Sequence, residues 1–209
     1  MRDLSLHILD IVQNSIKANS TVVKLHIFEK TESKELVLII EDNGFGMDND
    51  FLKKVEDPFT TTRTTRKIGL GIPMLKESAL KCEGEFSICS ERNIGTKVFA
   101  AFSIDHIDRL PIGDVGSTMT VLITANPDTH FILLLESVKG TFILDTEEIK
   151  KTLNGEDNGN EMQNLISINE FAVIQWLKEY IDEGVKNIFG GVLNEIDSWI
   201  RRDKKEDSW

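Results

Sequence analysis

Cysteine is almost missing from this sequence: only Cys82 and Cys89 occur in 209 residues. They form no C-x-x-C pair, and no histidine pair stands at metal-ligand spacing. Ordinary reduced thiols are expected, rather than a zinc site or a disulfide framework. Long apolar runs are missing too. No stretch approaches the roughly 20 residues that a membrane-spanning helix needs. No secretory leader opens the chain, which enters a polar helix at once, so a cytoplasmic location is expected. Cations are in deficit. Against 35 Asp and Glu stand 24 Lys and Arg, for a formal net charge of -11. That balance argues against nucleic-acid and anionic-membrane partners, both of which need a cationic surface. The remainder, 40% hydrophobic and 28% charged, suffices for one or two globular domains with a real core.

The stretch around which the rest is organised is Glu41-Asp42-Asn43-Gly44-Phe45-Gly46-Met47. It follows the apolar run Leu36-Val37-Leu38-Ile39-Ile40. Such a run, bounded by turn residues, predicts a buried strand that ends by presenting Asp42 above the sheet. The D-x-G-x-G that follows frees two backbone positions for positive φ or for close approach to a ligand. On the segment alone, a plain turn is the simpler account.

Asp3 to about Lys17 predicts an amphipathic helix. At ~100° per residue, Ile8, Ile11, Val12, Ser15 and Ile16 share its buried stripe. His7, Asp10, Asn14 and Lys17 share the opposite one, at spacings of three and four. This second stripe reads as a solvated face or as a site. Asn is a mediocre helix former away from caps. A carboxylate one turn before a carboxamide offers hard oxygens to Mg²⁺, which keeps several waters and needs few protein ligands. Thr21 to Phe28 predicts a half-buried strand, Glu29 to Lys34 a hairpin turn back into Leu36 to Ile40, and Asp48 to Val55 a short helix. Thr60 to Lys67 is polar, basic and β-branched; it suits a loop, or a lid whose hydroxyls and cations close over phosphates. Gly69-Leu70-Gly71-Ile72-Pro73 opens a helix to about Lys81. Glycines before a first-turn proline leave an N-terminus that a phosphate can approach. Gly84 to Ser90 and Thr96 to Ile104 predict two strands around a turn at Asn93-Ile94-Gly95.

Taken in order, these segments resemble the gyrase, chaperone, histidine kinase and MutL superfamily of ATPases (GHKL). Asp10 to Asn14 resembles its Asn box, Asp42-x-Gly44-x-Gly46 its first glycine box, Gly69-Leu70-Gly71 its second, and Gly95-Thr96 its last motif. Asp57 to Thr62 resembles the Phe-containing segment ahead of the lid in histidine kinases. The resemblance covers residues 3–104. It implies an α+β fold, a two-layer α/β sandwich of the Bergerat type, as an ATP-binding domain over residues 1–112, with ATP and Mg²⁺ as ligands. It also implies roles. Asn14 would coordinate Mg²⁺. Asp42 would accept from the adenine amino group; a carboxylate only accepts, which favours adenine over guanine. Gly44 and Gly46 would let the backbone pass base and ribose, and Thr96 would support adenine recognition. Gly69, Leu70 and Gly71 would hold phosphates with backbone N–H groups. Arg63 and Arg66 of the lid would reach the γ-phosphate. One position departs: hydrolysing members that resemble gyrase and MutL carry Glu four residues before the Asn, and this chain has Asp10. As general base, Asp is one methylene short and reaches an attacking water only through a small shift or a second water, so slow hydrolysis is expected.

Fewer than ten residues precede the Asn-box helix, so the dimerisation segment that carries the phosphoacceptor His of histidine kinases is not expected. His106-Ile107-Asp108-Arg109-Leu110-Pro111 resembles an acceptor box but lacks its acidic residue after His; a linker is the expectation. His7 reads as helix surface or packing, and His26 and His130 have no partner in sequence. Residues 113–155 predict a small α+β extension: Ser117 to Thr124 as a strand, Asn126-Pro127-Asp128 as a turn, Phe131 to Val138 and Thr141 to Leu144 as strands, and Asp145 to Leu153 as a helix capped by Asp145. Residues 154–164 read as a linker, 165–200 as a helical segment and 201–209 as a frayed tail. Trp176 and Trp199 read as core or interface residues. The second half either packs on the ATPase sheet or docks a protein partner, and a homodimer is compatible with both. Three functions stay open: a slow ATPase acting as a conformational switch, a kinase phosphorylating a partner in trans like the anti-sigma-factor kinases, and a non-hydrolysing nucleotide sensor.

Overall fold

The computed structural model describes residues 2–55, 71–154 and 167–193. Chain order runs α1 (Leu4–Lys17), β1 (Val22–Lys30), β2 (Glu35–Asp42), α2 (Asn49–Val55), α3 (Gly71–Lys81), β3 (Phe86–Glu91), β4 (Gly95–Ser103), α4 (Val115–Ala125), β5 (His130–Ser137), β6 (Gly140–Asp145), α5 (Thr146–Asn154) and α6 (Phe171–Phe189). The strands form one sheet in the order β3-β4-β2-β1-β5-β6. All neighbours are antiparallel except β1 and β5, which run parallel.

Alternation places Val23, Leu25 and Ile27 of β1 on one face, in the core with Phe131, Leu133 and Leu135 of β5. Lys24 and His26 of β1 point to the other. The helices form one contiguous layer over the apolar face. α1 packs against β2, α3 and α4; α3 packs against β3 and β4; α6 packs against α4, β5 and β6. The expected α+β sandwich is therefore what folds. α1 starts where Asp3, in extended backbone, accepts from Leu6 N at 3.0 Å. Its first turn is tied to the 111–112 segment by Leu4 N to Pro111 O at 2.9 Å and Ser5 N to Ile112 O at 3.0 Å. Among the described residues no helix is long and apolar enough to cross a membrane.

One expectation needs correction. Ser117 to Thr124 is not a strand; it lies inside α4, whose N-terminus Asp114 caps by accepting from Ser117 N at 2.7 Å. α4 sits between α1 and α6 and buries Val115, Thr118, Met119, Thr120, Leu122 and Ile123. A helix buried on several sides shows no polar stripe, so the alternation of Met119, Val121 and Ile123 imitated a strand. Trp176, read as a core or interface residue, keeps 45% of its surface exposed. The second half is joined to the sheet through β5 and β6. His26 and His130, partnerless in sequence, meet Glu136 at 2.5 Å and Asp145 at 2.8 Å. Asp145 caps α5, accepting from Glu147 N at 2.8 Å. The 154–164 linker beyond Asn154, the 201–209 tail and Trp199 lie outside the described residues.

Candidate functional site

Register brings the first pair of residues together. Asp42, the last residue of β2, lies directly across from Thr96 on β4 and from Val23 on β1. The glycine loop after Asp42 is then stitched on both sides. Asn43 Oδ1 accepts from Thr21 N and Val22 N, both at 2.9 Å. Phe45 N donates to Ala18 O at 2.9 Å, and Asn93 N to Phe45 O at 2.8 Å. The loop threads gaps only glycine fits. A Cβ on Gly46, at φ +60°, would stand 2.0 Å from Glu91 O, and one on Gly44 2.7 Å from Ala18 O.

The Asp42 carboxylate accepts from Ser15 Oγ on Oδ2 at 2.6 Å and from Gly44 N on Oδ1 at 2.9 Å, and Ser20 Oγ, whose one proton is shared with Ser15 O at 2.7 Å, lies 3.1 Å from Oδ1. An ionised carboxylate has about four acceptor positions, so acceptor capacity is left over where Asp42 lines a cavity. That cavity has a volume of about 800 Å³, within the range of about 300–1,000 Å³ typical of small-molecule sites. Asn14, Asp42, Gly46 and Thr96 all line it. Thr96 Oγ1 lies 2.9 Å from Ser90 Oγ, which in turn accepts from Met47 N at 2.8 Å. Two cations line the cavity as well. Arg92 pairs with Asp48 at 3.3 Å. Lys17, one turn beyond Asn14, has no ion pair among the described residues.

Asp10 and Gly71 meet each other instead. A Cβ on Gly71, the first residue of α3, would stand 1.9 Å from Asp10 Oδ2. That oxygen is buried and has no hydrogen-bond partner among the described residues, and Asp10 is not among the residues lining the cavity. His7, one turn earlier, is only 1% exposed, with its ring against the backbone of Gly71 at the start of α3. Burial pushes its pKa below the usual 6.5, which favours the neutral imidazole. The His7–Lys17 stripe is therefore split, with its first half under α3 and its second half open to the cavity. Gly44 supports the Asp42 clamp from behind. Arg63, Arg66, Gly69, Leu70 and the 57–62 segment lie outside the described residues.

Residues 2–106 match the family model described as histidine kinase-, DNA gyrase B-, and HSP90-like ATPase. The chain belongs to this family. Its first half is an ATP-binding domain of the histidine kinase type, and the cavity at Asp42 is the candidate nucleotide site of that domain. A putative sensor protein of Shewanella frigidimarina (strain NCIMB 400) is 30% identical over 103 residues, 48% of this chain and 16% of that protein. Sensor kinase CckA of Brucella abortus (strain 2308) is 32% identical over 121 residues, 50% of this chain and 13% of that protein. The match thus spans less than a fifth of either relative. Among solved structures, the Aquifex aeolicus MutL ATPase domain complexed with ADP is similar with a TM-score of 0.45 and 14% identity, covering 86% of this chain and 88% of that one. The N-terminal domain of a DNA repair protein is similar with a TM-score of 0.48 and 17% identity, covering 75% and 58%.

Two members of the site escaped sequence reasoning. Ser15 and Ser20 clamp Asp42 from 27 and 22 residues away. Ser15 left a trace as the lone hydroxyl on the apolar stripe of α1. Ser20, in the turn after α1, left none.

Proposed function

We propose that this domain is an Mg-dependent ATP-binding module and a slow ATPase, working as a conformational switch. The observation that carries the reading is the clamped Asp42 carboxylate, a fixed acceptor on the wall of a nucleotide-sized cavity. An acceptor with no proton to give suits an exocyclic amino group and opposes a carbonyl, so adenine is selected over guanine. Thr96, directly across the strands, supports the same recognition. Lys17 and the N-terminus of α3 favour negative charge at the phosphate end. The carboxamide of Asn14 makes no hydrogen bond among the described residues and lines the same cavity, so it fits as the residue that would hold Mg²⁺ through a hard oxygen. Mg²⁺, when bound, neutralises phosphate charge and orients the terminal phosphoryl group.

Asp10 is the general base in this reading. Its Oδ2 has no hydrogen-bond partner among the described residues. It stands back from the cavity, so it acts through an intervening water, and turnover is slow. A second reading, phosphotransfer in trans to a partner protein, is favoured by the relatives, two of which are named sensor kinases. Calorimetric titration with ATP, ADP and GTP, with and without Mg²⁺, tests the pocket. Single-turnover hydrolysis in wild type and Asp10→Asn tests the chemistry. Adenine-selective, Mg-dependent binding with turnover lost in Asp10→Asn is the expected result. Binding without turnover moves the reading to phosphotransfer or sensing, and absence of binding refutes it.

A further inference from the structure

Each of the six helices places apolar residues in or against the core on one face of the sheet. Among the described residues this leaves the other face to the strands alone. A sheet face turned to water is ordinarily polar, and this one is not. Register lays its side chains out in rows across the strands. Phe99, Ile39, His26, Leu134 and Ile143 stand side by side from β4 to β6. Ala101, Val37 and Phe28 form the next row. None of these apolar residues belongs to the helix-side core. Ile143 is 57% exposed, and Phe28, Ile39, Phe99 and Leu134 are each partly exposed.

Charge on this face lies mostly at the strand ends. The row nearest Asp42 is Lys97, Glu41 and Lys24; the row at the far end is Ser103, Glu35 and Lys30. An apolar centre inside a polar rim is the anatomy of an interface between proteins. The charges are also compensated within the face. Lys97 pairs with Glu41 at 2.5 Å, Lys30 with Glu35 at 3.6 Å, His26 with Glu136 at 2.5 Å and His130 with Asp145 at 2.8 Å. Lys24 and Glu91, which have no ion pair among the described residues, are of opposite sign. Such a face offers no field to select a strongly charged partner, and an identical face meets nothing in it that repels on contact.

The area fits as well. The sheet has six strands of 6 to 9 residues. At about 4.8 Å per strand and about 3.3 Å per residue its face spans roughly 700 Å² before side-chain relief is added. Each partner in a standard interface buries about 800 Å². We propose that this face is covered by a second copy of the chain, the two sheets stacking about a two-fold axis into a four-layer dimer with the helices outside. The cavity at Asp42 opens between α1, α2 and the helix-side face of the sheet, so the dimer forms whether or not nucleotide is bound.

The test is sedimentation of the full chain over a range of concentrations, with hydroxyl-radical footprinting of the same samples. A monomer–dimer equilibrium is expected, with Phe28 and Phe99 labelled less as the dimer fills. The interface is apolar and each copy carries a net charge of -11, so association should tighten as salt screens the long-range repulsion. A two-fold interface meets every substitution twice. Ile39→Lys and Leu134→Lys should therefore each weaken association at least about tenfold. Val121→Lys, in α4 where Val121 is 55% exposed, should leave it unchanged. Circular dichroism matching wild type confirms that each variant is folded, and the footprint, read on the wild type, decides even where a variant is not. A monomer at every concentration would overturn the proposal, as would a dimer that dissociates on adding salt. So would a dimer that Val121→Lys breaks and Ile39→Lys spares. Labelling of Phe28 and Phe99 that stays low at every concentration would overturn it too, because the face would then be covered within one chain.

Discussion

Replacing Asp42 by Asn changes one atom of the site and inverts what it can recognise. Asn keeps the shape of Asp and exchanges one oxygen for an NH₂ donor. Oδ1 accepts from Gly44 N at 2.9 Å and Ser20 Oγ at 3.1 Å. An amide nitrogen there would oppose the Gly44 N–H, so the carbonyl must take that side. The NH₂ then takes the Oδ2 side, where it can donate to Ser15 Oγ, 2.6 Å away in the wild type. Ser15 can give its freed proton to Ile11 O, which lies 3.4 Å off. Every buried partner keeps a hydrogen bond, and the fold should lose no more than about 1 kcal/mol, a shift of a few degrees in Tm for a chain of this size. The cavity side, however, now offers a donor. An adenine amino group loses a charge-assisted hydrogen bond and meets a like group, at a combined cost of about 3–4 kcal/mol, or two to three orders of magnitude in Kd. A base with a carbonyl at that position should improve relative to adenine. Calorimetry with ATP, GTP and ITP on both proteins reads the ratio, and thermal unfolding reads the fold. If Asp42→Asn binds ATP as tightly as wild type while folded, Asp42 is not the base-recognising acceptor.

Gly46→Ala puts a side chain at φ +60° with its Cβ 2.0 Å from a backbone oxygen; a loss of at least about 2 kcal/mol is expected in chemical denaturation, and an unchanged midpoint would sink the argument. Gly71→Ala drives its Cβ to 1.9 Å from Asp10 Oδ2, which should cost about 1–2 kcal/mol. Adding Asp10→Ala should recover most of that, and additive effects in the double-mutant cycle would contradict the contact. His7 supplies a pH dependence. Its folded pKa is lowered by burial, so the unfolded chain binds the extra proton. Stability is complete above the unfolded value near 6.5 and falls as pH drops through and below it. His7→Leu should flatten this slope between about pH 7 and about pH 5; parallel curves for the two proteins would show that His7 is not held neutral.

Local chemistry alone determined much of this molecule. The apolar stripe of α1, the alternation of β1, the run from Leu36 to Ile40 and the glycines after Asp42 each act over a few residues, and each element formed where its own period and turn residues required. Asp42, Asn14 and Thr96 could be singled out because each sits at the end or on the polar face of such an element. α4 was misjudged because its neighbours bury it on several sides, and burial erases the polar stripe that marks a helix; its cap, Asp114, was the local signal that outweighed the β-branched residues. Which strand β5 would join was likewise beyond local chemistry, since a parallel pairing with β1 depends on the crossover through α4. The Ser15–Ser20 clamp, the burial of His7 under α3 and the contact of Asp10 with Gly71 were decided only by tertiary structure. They join residues from separate elements, and a side chain acquires a partner, or loses its water, only when the sheet and helix layers close on it.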